Sequence, residues 1–104
     1  MGIPRRLSAA IRGNDHDHLG IGEPDETGDD IYNGALDNGV AMAQALAVAK
    51  AFSQLTSPLR RSVMFAFVGA EGQGLLGSQY YTQHPTLPPG RMAANINFEL
   101  GNIW

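Results

Sequence analysis

The chain has 104 residues, a formal net charge of −3 and no cysteine. That length suits one domain with one core, near the small end for an α/β sheet covered on both faces. Disulfides and thiolate metal sites are excluded, no basic footprint marks nucleic acid as a partner, and no apolar run approaches the roughly 18 residues of a membrane span.

Residues 1–13 are weakly patterned: the two N-terminal arginines lack the apolar stretch that follows them in an export signal. Leu7 to Ile11 reads as at most a short edge strand, because Pro4 and the small residues disfavour a strong one. The domain proper is expected over 14–104. Asn14 to Gly39 is a long acidic, glycine-rich loop with turn signals at Glu23-Pro24-Asp25, Thr27-Gly28-Asp29 and Asn33-Gly34. Loops of that length inside a compact domain are usually functional or disordered.

Val40 to Leu55 is the clearest helix, with Met42, Ala45, Leu46, Ala49 and Phe52 recurring at three and four residues and Asp37 or Asn38 placed to cap it. Ser62 to Val68 is nearly continuously apolar, as strands buried on both faces are. It gives way to glycines around Glu71, and Leu75 to Gln83 is a short helix stopped at His84-Pro85. Met92 to Leu100 is a second buried strand, in which Asn95, Asn97 and Glu99 alternate with Ile96, Phe98 and Leu100. Strands alternating with helices give a parallel sheet with right-handed crossovers.

Eight of the ten acids lie within the first 37 residues, and beyond Asp37 only Glu71 and Glu99 remain. Glu71 follows the apolar strand, where α/β sheets place ligands; as an isolated loop acid it is equally readable as solvated. The carboxyl ends of parallel strands share one edge of the sheet, so Asp37, Glu71 and Glu99 are expected to converge. The segment Asp15-His16-Asp17-His18 adds two carboxylates and two imidazoles, donors suited to a divalent metal or, equally, a solvated acidic loop.

Four ordered stretches carry a family resemblance: His18-Leu19-Gly20; Gly28-Asp29-Asp30-Ile31-Tyr32-Asn33-Gly34-Ala35-Leu36-Asp37-Asn38; Ala70-Glu71 with Gln73-Gly74-Leu75-Leu76-Gly77-Ser78 and Tyr80-Tyr81; and Ala94-Asn95-Ile96-Asn97. Together they resemble the di-zinc aminopeptidases, family twenty-eight of the metallopeptidases. The resemblance implies a three-layer αβα fold with a mostly parallel sheet, here incomplete, and hydrolysis of N-terminal peptide bonds by a metal-activated water with Glu71 as general base. Asp17 would orient the first ligand, Asp37 would bridge the metals, and Glu99 stands at the place of a ligand aspartate. Asp15 occupies the place of the family's first histidine ligand, Gly72 that of its glutamate ligand, and the chain ends at Trp104 before the last histidine.

Asp15, Asp37 and Glu99 make a carboxylate set that suits Mg²⁺, Mn²⁺ or Ca²⁺ better than zinc, with His16 or His18 restoring a nitrogen if the loop shifts. At most one metal and impaired activity are expected, with a peptide as substrate. The alternative is a non-catalytic module that binds a metal or a partner through the acidic loop 15–37. An exposed sheet edge would favour self-association. Relatives of this family are commonly secreted or periplasmic, although nothing in this chain encodes export.

Overall fold

The computed structural model describes residues 7–14 and 16–99. Its main sheet has three parallel strands: β1 (Leu7–Asn14), β4 (Ser62–Val68) and β5 (Ala94–Phe98), in the order β4-β1-β5. Apart from an irregularity between Leu7 and Ala9 in the β1–β4 pairing, the strands run in regular register, with Ile11 opposite Phe65 on one side and Ile96 on the other. The expected edge strand near the N-terminus is therefore the central one. Its small residues give a weak apolar signal, but the strand is held by backbone ladders on both sides, which depend little on side-chain type.

Helix α1 (Val40–Ser53) and helix α2 (Leu76–Gln83) lie where the periodicity places them. Phe52 of α1 meets Phe65 of β4 at 6.1 Å between ring centroids. The neighbouring residue Met64 points to the opposite face, as alternation in a strand requires, and there its sulfur accepts from the Tyr81 hydroxyl of α2 at 3.6 Å. The chain is thus a small mixed helix-and-strand fold.

Of the expected stripe on α1, Ala45 is fully buried together with Ala41, whereas Leu46 is 55% exposed. The small alanines let the helix sit close to the sheet. Neither Asp37 nor Asn38 caps α1. Gly39 takes that place without a side-chain bond, and Asp37 and Asn38 leave helical dihedrals within the turn Ala35–Gly39, across a cis peptide.

Strand β4 is half-buried along most of its length rather than enclosed, and Ile96 of β5 is 50% exposed because β5 pairs with β1 alone among the described strands. An open, mostly apolar cavity of about 490 Å³ separates β4 from α2, lined by Met64, Ala66, Val68, Tyr81, Pro85 and Met92 among others. Within the acidic loop, β2 (Gly20–Ile21) and β3 (Ile31–Tyr32) form a two-stranded antiparallel ribbon, so this segment has structure of its own. None of the described helices is long and apolar enough to cross a membrane.

Candidate functional site

The loop after β1 and the loop after β4 meet at the carboxyl edge of the sheet. Asp17 Oδ1 accepts the Ala70 amide hydrogen at 3.0 Å. Ala70 has φ +55°, which turns the chain immediately before Glu71. Beside this bond the His16 ring lies against Gly69: a Cβ built on that glycine would meet His16 Cε1 at 3.0 Å and the Asp17 carboxylate at 3.4 Å. Asp17 and His16 are therefore engaged with the end of β4.

His18 points elsewhere. Its backbone takes φ +44°, and its ring meets Tyr32 edge-on at 5.9 Å between centroids. Tyr32 is itself held, its hydroxyl donating to the Glu23 carbonyl at 3.1 Å. His18 Nδ1 comes within 3.7 Å of Asp37 Oδ2. That separation is too long for a hydrogen bond. The Nδ1 atom is buried without a hydrogen-bond partner, as is Oδ1 of the adjacent Asn38.

Glu71 is partly buried where β4 gives way to α2, and its carbonyl accepts the amides of Gly74 and Leu75 at 2.9 and 2.8 Å, which closes the turn. Helix α2 then starts close to the strand end, the Gly77 amide donating to the Gly69 carbonyl at 3.1 Å.

The expected convergence of Asp37, Glu71 and Glu99 is not reproduced. Glu99 is exposed and accepts from Asn97 Nδ2 at 3.1 Å, and no three His, Asp or Glu side chains among the described residues gather as a metal site. The physical reason lies in spacing: β5 is the far strand of the order β4-β1-β5, one strand away from the Glu71 loop. Asp15 lies outside the described residues. Tyr32, the Ala70 amide and buried Asn38 carry roles that the sequence reading did not assign. All three stand inside the quoted motif stretches, which was the available signal.

The sequence profile of peptidase family M28 matches residues 15–103. The chain belongs to peptidase family M28. No solved structure matches it. Among the described residues, the paired-metal set that M28 membership implies does not fit: Gly72 offers no side-chain donor, and its missing Cβ would meet Leu19 Cδ2 at 2.8 Å.

Proposed function

We propose that this chain is a metallopeptidase-type module of aminopeptidase ancestry, acting on N-terminal peptide bonds with strongly reduced efficiency. The observation that carries this reading is the bond from the Ala70 amide to Asp17: it ties the Asp17-His18 loop, which reaches Asp37, to the residue before Glu71. Three of the four M28 motifs thereby meet at one edge of the sheet. The finer architecture that accompanies this reading is a three-layer αβα domain that takes in β1 together with the expected 14–104 segment, since β1 is the central strand, with α1 and α2 on opposite faces of β4.

In this reading Glu71 serves as general base, taking a proton from a water molecule positioned against the substrate carbonyl. Asp17 is a positioning residue, holding the Glu71 turn through Ala70. A divalent metal, zinc by family habit, would lower the pKa of that water toward about 7. His18 and Asp37 are the described residues able to hold one, and Glu99 does not join them. Reduced efficiency follows from Gly72 and Asp15, which stand where an acid and an imidazole would complete the donor set.

Acidic residues of the loop favour the binding-module alternative less: Asp25 Oδ1 accepts from the Thr27 amide, the Thr27 hydroxyl and the Asp29 amide, so it is occupied by its own turn. The test is release of N-terminal residues from a peptide mixture, followed by mass spectrometry with added Zn²⁺, for the wild-type chain and Glu71→Gln. Slow release that disappears in the variant supports the assignment. Release unchanged in Glu71→Gln overturns the base role, and turnover comparable to M28 enzymes with a full donor set overturns the impairment.

A further inference from the structure

We infer that the amino edge of the main sheet is a docking surface for an anionic lipid bilayer. The net charge of −3 hides a segregation of charge along the strands. The described acids from Asp17 to Asp37, together with Glu71 and Glu99, all follow the carboxyl ends of β1, β4 and β5, and the sequence holds no acid between Asp37 and Glu71 or between Glu71 and Glu99. The cations take the other end. Arg60 and Arg61 immediately precede β4, Arg91 precedes β5, and Lys50 lies in the last turn of α1, which the crossover between parallel strands returns to the amino edge.

Lys50, Arg60, Arg61 and Arg91 are exposed, and among the described residues none forms an ion pair. In the order β4-β1-β5 the starts of β4 and β5 stand about 10 Å apart, so the arginines share one short edge. Apolar side chains accompany them: Phe52, Leu55 and Leu59, on the last turn of α1 and its connection to β4, are 37%, 48% and 40% exposed. Leu59 and Val63 line an open pocket of about 380 Å³ together with Arg60 and Arg61. Cations mixed with exposed leucines match the boundary of an anionic bilayer, where headgroups attract the charges and the acyl region takes the apolar side chains. Guanidinium groups also suit headgroup phosphates. An acidic peptide would engage the charges alone.

The acidic pole does not cancel this attraction. Strand β4 has seven residues, so the two edges stand about 23 Å apart. That is more than twice the Debye length of about 8 Å at physiological ionic strength. The same separation sets an orientation, with the basic edge on the lipid and the acidic loop and Glu71 turned toward solvent. The contact is peripheral, reversible and sensitive to salt, and it does not depend on any hydrolysis by the chain.

The experiment is flotation of the full chain with vesicles of phosphatidylcholine alone or of phosphatidylcholine and phosphatidylglycerol at about 3:1. Flotation separates lipid-bound chain from self-associated chain. The expected result is binding to the phosphatidylglycerol vesicles only, lost at about 1 M salt, where the Debye length falls to about 3 Å. Arg60→Gln/Arg61→Gln should weaken binding roughly tenfold or more, and Leu59→Ser should weaken it several-fold at unchanged charge. Glu23→Gln/Glu26→Gln, at the acidic pole, should not weaken it. Should the double arginine variant not fold, Arg91→Gln carries the comparison, with a loss of about fivefold. No flotation, equal flotation with phosphatidylcholine alone, or binding unchanged in the arginine variants overturns the inference. Displacement from the vesicles by a polyglutamate peptide whose own binding Leu59→Ser leaves unchanged would assign the edge to an acidic protein and likewise overturn the lipid assignment.

Discussion

Asp17 and Ala70, 53 residues apart in sequence, are joined by a 3.0 Å hydrogen bond from the Ala70 amide to the Asp17 carboxylate. The bond fixes the backbone turn that presents Glu71, and Ala70 holds φ +55° there without the freedom of a glycine. Removing the acceptor leaves the turn without that restraint. Asp17→Ala is expected to lower stability by about 1–2 kcal/mol, and Asp17→Asn, which keeps an acceptor oxygen, by about half as much. Urea denaturation checks both; equal midpoints for wild type and Asp17→Ala would show that the link is not formed in solution.

Much of this framework can be read from the sequence. Helix α1, strand β4 and helix α2 follow from local periodicity and from Pro and Gly stops, because each carries its own apolar pattern. Strand β1 escapes such reading: LSAAIRGN has few large apolar residues, and its central place depends on two neighbours distant in the chain. The site divides in the same way. Motif order marks Asp17, His18, Asp37 and Glu71, but which histidine faces Asp37 depends on a single positive φ at His18. The place of Glu99 just past β5, the strand farthest from β4, depends on strand order, which alternation along one strand does not encode.

Sheet edges give a second prediction. Strand β5 pairs only with β1 among the described strands, and Ile96 is 50% exposed on it. An unblunted edge carrying apolar side chains is a template for pairing with another copy, and an edge lysine opposes it. Self-association of the chain at micromolar concentration is expected, and Ile96→Lys should shift it toward monomer in sedimentation velocity. A wild-type chain that stays monomeric across the range would remove this role for β5.

Asp25 offers a pH-dependent test away from the site. Its carboxyl pKa is lowered from the ordinary 3.8, first by the Thr27 hydroxyl, then by the amides of Thr27 and Asp29. A depressed folded-state pKa contributes stability that is present above the unfolded value and lost as pH falls through the folded one. The Asp25 carboxyl carbon should therefore titrate below 3.8 by NMR, and Thr27→Ala should raise its midpoint. An unchanged midpoint in Thr27→Ala would mean that the turn is not closed by that hydroxyl.

The apolar cavity beside β4 has room to be filled. Ala66 lines it on the same face as Met64 and Val68, in a strand where a β-branched residue is favoured. Ala66→Val adds two methyl-sized groups to that space and is expected to raise stability by about 1 kcal/mol. Thermal unfolding checks the sign, and a lower midpoint would mean that the cavity closes in solution around the alanine.

The closest approach between helix and sheet sets the strongest expectation. A Cβ at Gly77 would lie 2.5 Å from the Gly69 carbonyl oxygen and 2.9 Å from the Gly69 nitrogen. Both are backbone atoms at the end of β4, so neither yields by a side-chain rotation. Helix propensity alone would favour alanine over glycine by about 1 kcal/mol within a helix. The clash opposes that gain, because α2 would have to move off the strand and lengthen the 3.1 Å bond from the Gly77 amide. Overpacking of this kind typically costs about 1–3 kcal/mol, so Gly77→Ala is expected to destabilise the chain by that amount despite its better propensity. Since Glu71 sits in the turn that the same contact closes, peptide release should fall in the variant even under conditions where it remains folded. A Gly77→Ala chain as stable as wild type, with release unchanged, would mean that α2 does not pack against Gly69 as described.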